Sequence, residues 1–231
     1  MLERRSGPLH ERVVKRVLVN GGSESDEPTR ENIIDALSDL KEAHEADTIL
    51  LFVAGHGVNS GLDYYFVPSD AKWRGEELRD STLVPWDRFQ RAVESAKGAR
   101  FMFLDTCHSG NAYNPRALSE SVNANILVYT ATRWDQIANE TNMLGEGHGL
   151  FTMAVTEGMR GKAKTAQGEV RAEPLHDFLR AQVAAYIRAA NEKIEALIKA
   201  KPGVKISKLK PQEPQFFKGR DAGNYLLAIA N

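Results

Sequence analysis

A single cysteine in 231 residues is the scarcest feature of this chain. One thiol cannot close an internal disulfide, so the fold must stand without a covalent staple, as expected of a protein kept in a reducing cytoplasm. Net charge is nearly absent too: 30 basic residues against 31 acidic ones leave a formal charge of -1. That balance argues against a nucleic-acid or membrane-surface partner, since either calls for a basic excess. Long apolar runs are also missing. None approaches the roughly 20 residues of a membrane span, and no charged-then-apolar leader opens the chain. Internal repeats and low-complexity tracts are lacking. What remains is 42% hydrophobic residues over the length of one large domain, enough for a substantial core.

The apolar residues gather in short runs. Two of these stop at a reactive side chain beside glycine: Thr48-Ile49-Leu50-Leu51-Phe52-Val53-Ala54-Gly55-His56-Gly57 and Phe101-Met102-Phe103-Leu104-Asp105-Thr106-Cys107-His108-Ser109-Gly110. Runs so rich in branched and aromatic residues read as strands buried on both faces. Further strands are expected over 13–19, ended by the turn Asn20-Gly21-Gly22, over 64–67, over 126–130, and over 225–230 as a closing strand. Helices are expected after the N-cap Thr29, with Ile33, Ile34, Leu37 and Leu40 at helical spacing, and from Trp86 behind Pro85. Two more run over 151–159, stopping near Gly161, and from Pro174 to about residue 199. The Lys- and Pro-rich stretch up to about 219 reads as a loop. Strands alternating with helices imply an α/β fold with a mostly parallel sheet covered on both faces.

In such sheets the reactive residues sit just past the carboxyl ends of the strands. A thiol at its ordinary pKa of roughly 8.5 is mostly protonated at neutral pH, and the thiolate is the nucleophile. An imidazole beside Cys107 takes that proton and later returns it to a leaving amine, which is the work expected of His56. Glycines on both sides of His56 let the chain turn sharply and let a substrate backbone approach. The backbone N–H groups of Gly57 and Cys107 are candidate donors to an oxyanion, typically worth about 3–4 kcal/mol each.

The pair His56-Gly57 and Asp105-Thr106-Cys107-His108-Ser109-Gly110 resembles the caspase superfamily, in which a histidine lies about 50 residues upstream of the cysteine. The Asp-x-Cys-His-Ser-Gly form is similar to the metacaspase and bacterial orthocaspase branch. Tyr65-Phe66-Val67-Pro68-Ser69-Asp70-Ala71 and Gly147-His148-Gly149-Leu150-Phe151-Thr152 resemble two further stretches of that family. The likeness runs over about residues 13–161 and the last dozen. It implies a caspase-like (caspase-hemoglobinase) sheet sandwiched by helices, with Cys107 as nucleophile and His56 as base in a dyad. It also implies one catalytic domain over 1–231: a large-subunit-like part over about 12–110, a processing loop over 111–125, and a small-subunit-like part over 126–231. Arg116 in that loop is the expected self-cleavage point.

The resemblance also bears on the substrate. Asp105 matches a metacaspase residue that lines the pocket for the side chain before the cut, and Asp135 falls in register with a second pocket acid. Two carboxylates at a pocket floor favour a guanidinium or ammonium group. Peptides with Arg or Lys before the cut are therefore the expected partners, although either acid would also serve to cap a backbone turn. The family's opening strand–helix unit has no counterpart here. The chain thus reads as a fragment of a longer protein, with an N-terminal fragment or a regulatory partner as the source of the missing strand. No metal and no cofactor is implied; some metacaspases require calcium, but the acids here form no recognisable ligand loop.

Other readings compete. A catalytically idle caspase-like scaffold would keep the pocket, but has no use for an intact Cys107 and His56. A metal site from His56, Cys107, His108 and His148 is disfavoured, because adjacent strand residues point to opposite faces. The glycine-rich residues 55–61 lack the Lys-Ser/Thr ending of a phosphate loop. Legumain-like, gingipain-like and separase-like thiol peptidases are the nearest enzyme alternatives.

Overall fold

The computed structural model describes residues 9–60, 63–106, 126–133, 135–144, 148–219 and 222–229. In chain order its elements are helix α1 (Arg30–Ser38), strands β1 (Thr48–Gly55), β2 (Gly57–Ser60), β3 (Asp63–Phe66), β4 (Trp73–Arg74), β5 (Glu77–Leu78) and β6 (Val84–Pro85), and helix α2 (Trp86–Ser95). Strands β7 (Ala99–Thr106), β8 (Ile126–Thr130), β9 (Glu140–Thr141) and β10 (His148–Gly149) precede helix α3 (Leu150–Glu157). Strand β11 (Glu169–Arg171), helix α4 (Ala172–Ala200) and strands β12 (Gln215–Lys218) and β13 (Leu226–Ile229) complete them. The central sheet has the order β1-β7-β8-β12; its first three strands are parallel and β12 runs antiparallel to β8.

Alternation along β7 and β8 divides the molecule into two cores, because successive strand side chains leave opposite faces. Met102, Leu104, Ile126 and Val128 pack with Ile33 and Leu37 of α1 and with Trp86, Phe89 and Val93 of α2. Phe101, Phe103, Leu127 and Tyr129 face the other way, onto Leu150, Phe151 and Ala154 of α3 and Leu175, Leu179 and Val183 of α4. The Phe103 and Tyr129 rings stack with centroids 4.6 Å apart. A fully buried side chain of this size stabilises by about 2 kcal/mol, so β7, buried from Phe101 to Thr106, is the best-anchored stretch of the sheet. The mostly parallel α/β sheet with helices on both faces is as the sequence implies.

Several elements also follow the sequence closely. Thr29 caps α1, its hydroxyl accepting the Asn32 N–H at 3.2 Å. Helix α2 starts at Trp86, immediately after Pro85. Others differ. Residues 13–19 form no strand: among the described residues they join no sheet, Val14 is 78% exposed, and only Leu18 leans on the core beside α1 and α2. Branched side chains favour an extended backbone, but a strand exists only when a neighbour takes its ladder bonds. Strand β1, at one edge of the central sheet, pairs among the described residues with β7 alone. Helix α4 begins two residues before Pro174, which sits in the first turn where its missing N–H is no loss. The stretch read as loop contains β12, whose Phe216 ring packs 4.7 Å from that of Tyr129. The expected closing strand, β13, pairs with β11 outside the central sheet.

Candidate active site

The parallel ladder of β1 and β7 sets the level of the site. Its first pair is Thr48↔Ala99 and its last Gly55↔Thr106, a constant offset of 99 − 48 = 51 positions. Residues 56 and 107 are separated by the same number, 107 − 56 = 51. The two strands thus stop side by side, each one residue short of a reactive group in the sequence. His56 is exposed at the carboxyl end of β1. Cys107, His108 and Arg116, with the rest of 107–125, lie outside the described residues.

His56 is held by its backbone. Its carbonyl accepts the Val67 N–H at 2.9 Å. In a planar trans peptide the Gly57 N–H points the opposite way, away from Val67. The flanking glycines have a reason that sequence alone does not disclose. Tyr64 and Phe66 stand two apart on β3 and so share a face, and each occupies space that a side chain at 55 or 57 would need. A Cβ on Gly57 would fall 1.7 Å from the Tyr64 hydroxyl oxygen, and one on Gly55 would fall 3.0 Å from the Phe66 ring. Gly55 also has φ 148°, which other residues resist. The His56 corner therefore rests on an aromatic floor. Tyr64 reaches further: its hydroxyl donates to Thr106 Oγ1 at 2.7 Å, in a buried contact that joins β3 to the end of β7.

Asp105 is 7% exposed and faces the start of α3. Its Oδ2 accepts the Thr152 N–H at 3.0 Å and the Thr152 hydroxyl as well. Thr152 is in the first turn of α3, so the carboxylate caps that helix from another strand and lies at the positive end of its dipole. Gly149 makes the approach possible, since a Cβ there would lie 2.4 Å from Oδ2. Burial raises the Asp105 pKa, and the two bonds from Thr152 oppose that rise without cancelling it. Asp135 is exposed and already paired: Arg133 Nε donates to its Oδ1 at 3.2 Å and Nη2 to its Oδ2 at 3.1 Å. That bond holds its pKa below the ordinary aspartate value. Arg133 also faces Glu213, 3.8 Å away. The sequence reading missed Thr152, Gly149, Tyr64 and Arg133. Gly149 and Thr152 lay in the family-like stretch 147–152 without an assigned role, and Tyr64 left a signal in that Tyr64 and Phe66 repeat the two-residue spacing of Gly55 and Gly57.

Among the described residues no group of three or more His, Cys, Asp or Glu is arranged to hold a metal ion. What the site presents is an exposed imidazole at the end of one parallel strand, level with the end of its neighbour, and a helix N-terminus at the same end of the sheet. No family model and no curated protein matches the sequence. The fold is similar to that of caspase-1 from Spodoptera frugiperda, whose crystal structure aligns with a TM-score of 0.54 at 14% identity, over 87% of this chain and 72% of that one. The chain therefore has a caspase-like fold, and at that identity the likeness speaks for the fold alone.

Proposed function

We propose that this chain is a cysteine endopeptidase that cleaves after Arg or Lys, with Cys107 as nucleophile and His56 as general base. The observation that carries the reading is the ladder offset of 51 between β1 and β7, which equals the distance in sequence from His56 to Cys107. In the reaction the His56 imidazole takes the thiol proton, Sγ attacks the carbonyl carbon before the cut, and the proton passes to the leaving amine. A water then hydrolyses the thioester and restores the thiol. The Gly57 N–H, turned away from β3, and the Cys107 N–H are the oxyanion donors of this reading.

The basic preference rests on Asp105 and Asp135. A substrate guanidinium must share Asp105 with the α3 cap, and it reaches Asp135 only by displacing Arg133. Residues 12–110 and 126–231 are the large- and small-subunit-like parts in this scheme, and self-cleavage at Arg116 separates them within the processing loop at 111–125. A strand from an N-terminal fragment or a regulatory partner completes the sheet at β1. The lone cysteine supports a cytoplasmic setting; no helix among the described residues is long and apolar enough to cross a membrane.

The test is a panel of fluorogenic peptides that differ only in the residue before the cut, run under reducing conditions with and without calcium. Turnover of Arg or Lys peptides that vanishes in Cys107→Ala supports the proposal. Turnover only after Asp removes the pocket assignment. No turnover in any condition leaves the fold as a binding scaffold. For self-cleavage, purified Cys107→Ala should stay intact while the parent is clipped at Arg116.

A further inference from the structure

Tyr64 lies at the meeting point of the two arms of the site, and its surroundings are more specific than a buried phenol requires. Its ring is held from β3 by Trp86, edge-on at 5.9 Å, and Trp86 in turn stacks on Phe89 at 4.8 Å. That anchor sets the height of the hydroxyl. Above it, residue 57 has no side chain, and the hydroxyl oxygen occupies the vacated volume, 1.7 Å from where a Cβ would be. Beside it, Thr106 ends β7 with a hydroxyl 2.7 Å away, itself 1% exposed.

Phe66 supplies the internal contrast. It meets Gly55 from the same face of β3, but a Cβ there would sit 3.0 Å from the ring, a squeeze rather than an overlap. A hydrophobic floor alone would be served by phenylalanine at both positions. At 64 the chain has a hydroxyl, a glycine that makes room for it, and a threonine that receives it. These three residues lie in different segments and are brought together only by the fold.

We infer that Tyr64 is a positioning residue: by seating its hydroxyl beneath Gly57 and donating to Thr106, it holds the His56 arm and the Cys107 arm at one level. The inference rests on the dyad reading above, and it assigns to Tyr64 no contact with substrate. Losing the bond leaves both strands in the sheet but frees the last residue of β7 from the corner that carries His56. Small errors of placement between reacting groups cost rates steeply.

The chain's only thiol allows a test without any substrate. The rate of alkylation of Cys107 by iodoacetamide is measured against pH for the parent, His56→Ala, Tyr64→Phe, Thr106→Val and Thr106→Ser. Tyr64→Phe keeps the ring against Trp86, and Thr106→Ser keeps the acceptor. His56→Ala should shift the inflection of the profile. Tyr64→Phe and Thr106→Val should each shift it in the same direction and slow neutral-pH alkylation about tenfold, while Thr106→Ser behaves as the parent. The double variant Tyr64→Phe/Thr106→Val should be no slower than either single one. With an arginyl peptide, kcat should fall by a similar factor at constant KM. An inflection moved by His56→Ala but not by folded Tyr64→Phe or Thr106→Val overturns the positioning role alone. A profile that His56→Ala leaves unchanged overturns the dyad, and the role of Tyr64 with it.

Discussion

Asp105, at the end of β7, and Asp135, just past the end of β8, carry the same side chain into opposite surroundings. Asp105 is buried, has no cation among its described partners, and spends one oxygen on the N-terminus of α3; burial pushes its pKa up. Asp135 is exposed, held by both donors of an Arg133 fork, and its pKa goes down. In sequence the two are equivalent, as acids near strand ends that fit a pocket for a basic side chain. In the fold, one is part of the framework and the other is a surface ion pair. Removing the first should therefore damage stability, and removing the second should be felt only by a ligand.

The largest effect should come from Asp105→Ala. It leaves the half-buried Thr152 N–H and hydroxyl without their acceptor, and loss of a buried acceptor of this kind costs about 2 kcal/mol. Urea unfolding should show a lower midpoint with an unchanged slope; an unmoved midpoint would mean that α3 does not depend on this cap. Gly149→Ala comes next, at about 1–2 kcal/mol for overfilling the same spot. Because it acts by displacing Asp105, its cost should largely disappear in an Asp105→Ala background. Additive losses would dissociate the two.

A smaller and more diagnostic effect concerns pH. Burial raises the Asp105 pKa above its unfolded value of 3.8, so folding favours the protonated form. Its contribution to stability is full below the unfolded value and is lost as pH rises through the raised folded one. Across that window the urea midpoint of the parent should fall relative to that of Asp105→Asn, which has no proton to lose. Parallel curves would place the carboxylate in a less desolvated setting. The smallest effect belongs to Asp135→Asn: urea midpoint unchanged, with any change confined to the KM of Arg peptides. Arg133→Ala should lower that KM by releasing Asp135. A loss of stability in either variant would erase the contrast between the two acids.

How much of this was readable beforehand follows from where the information lies. Strands β7 and β8 announce themselves because burial on both faces demands unbroken apolar runs. Strand β1 has the same kind of run but, against the expectation of burial on both faces, leaves Phe52 and Ala54 exposed. Thr29 announces α1 by a cap that needs only its own neighbours. Residues 13–19 have the same branched composition as β1 yet form no strand, because pairing is a property of the neighbour and not of the segment. Strand β12 was hidden between Pro214 and Gly219 in Lys-rich surroundings; Phe216 and Phe217 were its only sign. In the site, His56 is legible from its flanking glycines, but their purpose is not. The two glycines were read together as allowing a sharp turn and the approach of a substrate backbone, and the φ of Gly55 fits the turn. What the sequence did not show is that the space of a side chain at 57 is taken by Tyr64, whose hydrogen bond spans 106 − 64 = 42 positions.

The contact between Tyr64 and Thr106 also bears on how the sheet keeps count. Strand β1 offers apolar side chains to both faces, with Leu50 on one and Leu51 and Val53 on the other. Polarity therefore does little to forbid a slip of one position against β7, which in a sheet with one wet face would be costly. Such a slip would displace one strand end from the other by about 3.3 Å, more than proton transfer between side chains tolerates. A phenol seated under a glycine and bonded to the last hydroxyl of the neighbouring strand works as an index mark on a sliding scale. It lets a sheet built of interchangeable hydrophobic rungs close at a single reading.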